Sequence, residues 1–268
     1  MSAAATLRLQ IERALENRFP AALTPTPRTI REVAATGITE VDRLLEGGLP
    51  VGAISEITGL ASSGRTSLAL AFVAQRTGEE RVCAWVDAHD ALDPESAAAN
   101  GVNLRRLLWV RCGDRVLRES ATTGEKFSRA AARQTTKPWT RLDQAMRATD
   151  LLLQAGGFAA IVLDVGDTAA EDGRRIPLAT WFRYRQAADR ARCSLLVLGK
   201  AAYAQSSAAV ALQCAPLKAM EAGGTVLCGF RYEVRQGRQR FTPIAMNTRK
   251  PPASTWSANG AWDTEKRA

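Results

Sequence analysis

The stretch Gly59-Leu60-Ala61-Ser62-Ser63-Gly64-Arg65-Thr66-Ser67 constrains this chain more than any other. Two glycines followed by a cation and two hydroxyls have the spacing of a loop that wraps a phosphate. In such a loop successive backbone N–H groups point at the anion from a helix N-terminus. The flanks agree: residues 53–58 read as a short strand entering the loop and 67–74 as an apolar helix leaving it. A working loop of this kind uses a lysine to reach the outer phosphates and a Ser or Thr to hold Mg²⁺. Thr66 can do the second task. At the lysine position, however, Arg65 substitutes a bulky planar fork for a slim point charge, which is not a conservative change. The candidate phosphate-binding set is therefore Gly59, Ser62, Ser63, Gly64, Arg65, Thr66 and Ser67.

A length of 268 residues suits one large domain, or a core with small appendages. Hydrophobic content of 46% with 24% charge is that of a soluble globular protein. No apolar run approaches the ~20 residues of a membrane span, and the N-terminus lacks a secretory core region. Five scattered cysteines, with no CxxC pair, read as reduced core thiols of a cytoplasmic protein. His89 is the sole histidine, which argues against a metal cluster. The net charge of +9 points to a polyanionic partner, most naturally DNA. An arginine- and alanine-rich composition also follows from a GC-rich genome, so charge does not decide the matter.

Along the chain, residues 1–34 read as an N-terminal helix and a proline-rich linker. Leu7, Ile11, Ala14 and Leu15 form one helical stripe, too short to stand alone in water. Residues 35–248 read as the core. Thr39 is placed to cap a helix through Leu45, ended by Gly47-Gly48. Strands are expected at 81–87, 107–111, 159–164 and 194–198, and helices at 142–153 and 178–190. Antiparallel strands near 210–218, 226–235 and 241–247 would close the sheet. Residues 113–140 form a polar insertion with Arg115, Arg118, Lys126, Arg129, Arg133 and Lys137 around Phe127 and Trp139. That composition suits either a grip on single strands or a solvated, flexible linker. Residues 249–268 have little to bury and are expected to be disordered. Alternating strands and helices argue for an α/β fold with a mainly parallel sheet. The apolar strand ending in Asp164 supplies a carboxylate suited to holding Mg²⁺ near Thr66.

The segments ATGITEVDRLLEGGLPVGAISEITGLASSGRTSLAL and CAWVDAHDALDPESAAANGVNLRRLLWVRC carry a more specific likeness. Together they resemble the RecA family, strongly over residues 35–112 and more loosely over 140–247. The resemblance implies a P-loop NTPase core, a mainly parallel sheet between helices with antiparallel strands at its C-terminal edge. Within that family, the chain length, the short N-terminal helix and the missing C-terminal domain most resemble the ImuA group. This implies an SOS-induced, nucleoid-associated accessory protein of translesion DNA synthesis. Its implied partners are single-stranded DNA bound without sequence preference, RecA, an ImuB-like Y-family polymerase relative, and further copies of itself.

The departures from the family pattern fall on working parts. Arg65 stands for the lysine, and His89 stands where the family has its water-activating glutamate. Asp90 comes one residue late. Ser96 matches the tyrosine that stacks on adenine. Asp93 is retained, either to bond the base or to cap the helix beginning at Pro94. The first DNA loop corresponds to residues 166–177, with Arg174 and Arg175, and the second shrinks to about 202–207. Lys200 and Arg238 complete the candidate DNA-binding set, and the family's coupling glutamine falls near Ala201. The resemblance thus implies ATP and Mg²⁺ binding that is weak or absent. The alternatives are an active DNA-dependent ATPase with His89 or Asp90 as base, and a pure interaction protein.

Overall fold

The computed structural model describes residues 29–113, 140–166, 168–222, 226–243 and 253–259. The expected N-terminal helix, the proline-rich linker to residue 28 and the interior of the basic insertion lie outside the described residues. So do the tail segments 244–252 and 260–268. The described elements run β1 (Thr29–Arg31), β2 (Val33–Ala34), α1 (Thr39–Leu44), β3 (Leu49–Pro50), β4 (Ile54–Thr58), α2 (Arg65–Gly78) and β5 (Cys83–Asp87). There follow α3 (Pro94–Ala99), β6 (Leu107–Arg111), α4 (Arg141–Ala155), β7 (Ala160–Asp164), α5 (Ala170–Arg174), α6 (Leu178–Ala191) and β8 (Ser194–Gly199). The chain continues through β9 (Ala208–Ala222), β10 (Val226–Gln239), β11 (Phe241–Pro243) and β12 (Ala253–Asn259).

Eight strands form the main sheet in the order β12-β10-β9-β4-β8-β7-β5-β6. The six from β9 to β6 are parallel, while β10 runs antiparallel to both of its neighbours. Strands β5 and β8 are buried along their whole length, as expected of parallel strands covered on both faces. On one face Leu68 and Phe72 of α2 pack with Val41 and Leu44 of α1 over Trp85, Val162 and Leu196. On the other, Ala145 and Leu153 of α4 and Trp181 and Tyr184 of α6 cover Ile161, Leu163 and Leu195. Helix α4 starts at a capping box in which Thr140 and Asp143 satisfy each other's backbone N–H.

Register brings the working ends together. Asp87 pairs with Asp164, Asp164 with Leu198, and Thr58 with Gly199. The glycine loop, the two strand-ending aspartates and the segment after β8 therefore emerge along one edge of the sheet. This is where parallel α/β sheets place ligands.

Four expectations change. Thr39 is the first residue of α1 rather than its cap; Asp42 instead turns back to accept the N–H of Thr36 at 2.7 Å. β1 and β2, expected in the linker, are part of the folded body. Phe241–Pro243 does not extend the main sheet but pairs in parallel with β1, because its partner edge comes from residues 29–31. Within the expected disordered tail, Ala253–Asn259 is an edge strand on β10. The reason is Trp256, which is buried against Tyr232 with ring centroids 5.1 Å apart. Burying one indole contributes on the order of 3 kcal/mol, enough to order a short strand that an overall composition reading discards.

Candidate functional site

The loop from Gly59 to Gly64 leaves β4 and turns into α2. Gly64 takes a left-handed conformation with φ 85°. The Tyr232 ring from β10 packs so closely on it that a Cβ there would sit 2.7 Å from ring carbon Cγ. Burial raises the pKa of the Tyr232 phenol, and a hydrogen bond with Ser67 opposes that rise. Tyr232 thus seals the flank of the loop and ties itself to the first turn of α2. Ser63 is buried inside the turn, while Ser62 and Thr66 remain exposed.

Arg65 is the first residue of α2 and only 9% exposed. Its side chain folds back, and Nη1 donates to the carbonyl oxygen of Gly59. Its other terminal nitrogen reaches Gly166, where an added Cβ would collide with Nη2 and lie 3.0 Å from Asp164 Oδ1. Asp164 Oδ1 also accepts the Gly166 N–H at 2.9 Å. The guanidinium therefore stands beside the carboxylate that, with Thr66, would hold Mg²⁺. A divalent cation would have to share that corner with a buried positive charge, which costs far more there than in water. The turn keeps both glycines, with Gly64 left-handed, but this corner fits a magnesium nucleotide poorly.

The other residues singled out in the sequence, Asp93, Asp90 and His89, are engaged elsewhere. Asp93 caps α3, accepting from the Glu95 N–H at 3.3 Å and from the Ser96 N–H and Oγ at 3.1 and 2.5 Å. The Ser96 hydroxyl bond is the main cause that holds the Asp93 carboxyl below its usual range. Asp90 is gripped by Arg111 through two bonds of 2.6 and 2.5 Å, which lowers its pKa. His89 lines an open groove of about 480 Å³ with Thr140, Arg141, Thr168 and Arg175. Asp87 is fully buried and organises this turn, accepting from the Leu92 N–H at 2.8 Å and Trp109 Nε1 at 3.3 Å.

The two candidate DNA segments meet at Tyr203. Its buried ring wedges between Gly173 of α5 and Gly199 of β8, leaving no room for a side chain at either glycine. Burial raises the phenol pKa, and the charges of Arg65 and Arg174 oppose the rise. Exposed Arg174 and Lys200 stand on the two segments that hold this ring. Arg175 is also exposed but pairs with Asp172 at 3.3 Å. Arg238 plays a second part: its Nη2 donates to the carbonyl of Gln205 and lies 3.9 Å from Glu56 Oε2. Glu56 is 1% exposed, and burial raises its pKa against the hydrogen bonds it accepts from Ala204 and Tyr203.

The structure thus brings Arg65 and Asp164 together, and Arg174 and Lys200 around Tyr203. Asp93 is bound within its own helix. Sequence reasoning missed Tyr232, Tyr203 and Glu56. A lone acid inside the apolar strand Ile54–Thr58 was a visible signal for Glu56. Nothing in local pattern marked either tyrosine, because their partners come from distant elements.

The parallel sheet, the glycine loop between β4 and α2 and the antiparallel edge define an α/β fold with its candidate site at the strand ends. Residues 5–117 match the family model described as the RecA N-terminal domain. RecA of a Nostoc species is 41% identical over 99 residues, covering 37% of this chain and 28% of that protein. RecA of Rickettsia canadensis is 31% identical over 156 residues, covering 58% of this chain and 38% of that protein. The crystal structure of the RadB recombinase superposes with a TM-score of 0.52 at 18% identity, covering 83% of this chain and 94% of that one. The chain is therefore similar in sequence to RecA over its first part and similar in fold to the RadB recombinase. These matches span only 28% and 38% of the two RecA proteins. Among the described residues, no helix is long and apolar enough to cross a membrane.

Proposed function

We propose that this chain is a RecA-like accessory protein of SOS-induced translesion DNA synthesis, of the ImuA kind. It binds single-stranded DNA without sequence preference and engages protein partners through a core whose nucleotide cleft no longer drives turnover. The observation that carries this reading is Arg65, folded back onto Gly59 beside Asp164. Phosphoryl transfer depends on positioning and on charge stabilisation, and both are altered at that corner. Loss of a general base alone costs about 10²–10⁴ in rate. The active-ATPase alternative needs Asp90 or His89 as that base, and the Arg111 grip on Asp90 speaks against the first.

DNA contact is assigned to Arg174, Arg175 and Lys200, with Arg238 supporting the loop beside them. The expected partners are RecA, an ImuB-like Y-family polymerase relative and further copies of the chain, in the nucleoid. The N-terminal segment before β1 and the tail are the proposed contact arms. Because Ala253–Asn259 belongs to the sheet, a tail deletion should begin at residue 260.

The test is equilibrium titration of the full chain with ATP, with and without Mg²⁺, beside steady-state hydrolysis in the presence of single-stranded DNA. Weak, metal-insensitive binding and no stimulated hydrolysis are expected. Tight Mg²⁺-dependent binding with brisk turnover would overturn the proposal. Pull-down with each partner after removal of residues 1–28 or 260–268 tests the arms.

A further inference from the structure

Glu56 sits inside β4, three residues before Gly59, where an unpaired carboxylate would be costly. Its Oε1 accepts the N–H groups of Tyr203 and Ala204, each at 2.6 Å, from a segment 147 and 148 residues further along. Arg238 Nη2 donates to the next carbonyl, that of Gln205, and Arg240 Nη1 to that of Ser206 at 3.0 Å. Each residue from 203 to 206 is thus held through a backbone N–H or carbonyl by a side chain of β4, of β10 or of Arg240 just after it. Gln205 has φ 44°, a left-handed backbone that a residue with a side chain keeps only when its surroundings impose it. Tyr203 is driven into its slot between Gly173 and Gly199 from the same segment.

We propose that Glu56 is a positioning residue that latches the 200–207 segment to the strand feeding the glycine loop, and so sets where Tyr203 and Lys200 stand. Its consequence for DNA rests on the function proposed above: a surface held in one conformation loses less entropy when it binds a strand. Only Ile57 and Thr58 separate the latch from Gly59, so the loop that holds Arg65 and the segment bearing Lys200 share one rigid support.

The test compares amide hydrogen exchange in the full-length chain with that of Glu56→Gln and Glu56→Ala. In Glu56→Gln the Tyr203 and Ala204 amides are expected to exchange about 10-fold faster while those of β7 and β8 keep their rates; in Glu56→Ala the gap widens. Wild-type rates at 203–204 in folded Glu56→Gln, or equal acceleration everywhere, would overturn the latch. Affinity for an oligo-dT strand, read by fluorescence anisotropy, should fall about 5-fold in Glu56→Gln with an unchanged salt slope. Full affinity despite a loosened segment would refute the positioning role. If the wild-type chain fails to bind the strand, the DNA reading falls, while exchange at 203–204 still decides the latch.

Discussion

Tyr232 closes over Gly64: a Cβ on that glycine would lie 2.7, 2.8 and 2.9 Å from three carbons of the tyrosine ring. The contact joins β10, near the end of the chain, to the loop at the start of α2. Gly64→Ala meets both this ring and the penalty of a left-handed backbone, and a loss of about 3 kcal/mol is expected. Urea denaturation measures it. Replacing Tyr232 by Ala in the same chain should recover part of the loss, giving a coupling of about 1 kcal/mol or more. Strict additivity would show that the ring is not against the loop.

Arg65→Lys removes the guanidinium from the corner it shares with Asp164 and restores a slim cation. Affinity for ATP with Mg²⁺ should rise at least about 10-fold by calorimetric titration. Hydrolysis should stay slow, because the proposed function puts His89 at the place of the base and Ser96, which cannot stack, at the place of the adenine contact. A single substitution that restored brisk, DNA-stimulated turnover would show that arginine alone silences the site.

Arg174 and Lys200 are exposed on either side of Tyr203, whereas Arg238 is bound to the backbone of Gln205. Neutralising Arg174 or Lys200 with Gln should each reduce the slope of log K against log salt by about 0.7 for a single strand. Arg238→Gln should change affinity through the segment it holds, with little change in slope. A slope change as large as that of Lys200→Gln would assign Arg238 to phosphate.

Burial raises the Glu56 pKa above its ordinary 4.5, so the native state holds this proton more tightly than the unfolded chain does. The sign follows: stability falls as pH rises from about 4.5 through the raised value and is level above it. Asp42, also raised by burial, adds a fall of the same sign. Glu56→Gln should flatten the Glu56 part of the curve. Superimposable wild-type and variant curves of stability against pH would remove Glu56 from the account.

Among the cysteines, Cys83, Cys112, Cys193 and Cys214 are buried, and only Cys228 is partly exposed. Burial pushes the thiols up to about 11 for Cys83 and Cys112 and about 12 for Cys193 and Cys214. A thiol reagent at neutral pH should label Cys228 promptly and the others only after denaturation. Rapid labelling of Cys214 would mean that the strand behind Gly59 opens readily.

Pattern in the chain carried much of the outcome. The apolar runs ending in Asp87 and Asp164, and the glycine loop between a strand and a helix, fell where the residues placed them. The edge strand at Ala253–Asn259 escaped because one tryptophan orders it, and window composition dilutes one ring. Asp93 could be read in sequence as cap or base contact, and its bonds to Ser96 and Glu95 show the capping geometry.

Local periodicity and loop chemistry depend on neighbours a few residues apart, so the order of strands and helices and the presence of an arginine in a phosphate-type loop were determined by sequence alone. What stands beside that arginine, what covers Gly64, and which backbone Glu56 holds depend on residues about a hundred or more positions away. Those contacts exist only once the sheet has been assembled and its edge strands have packed against the loop, so the tertiary structure alone decided them.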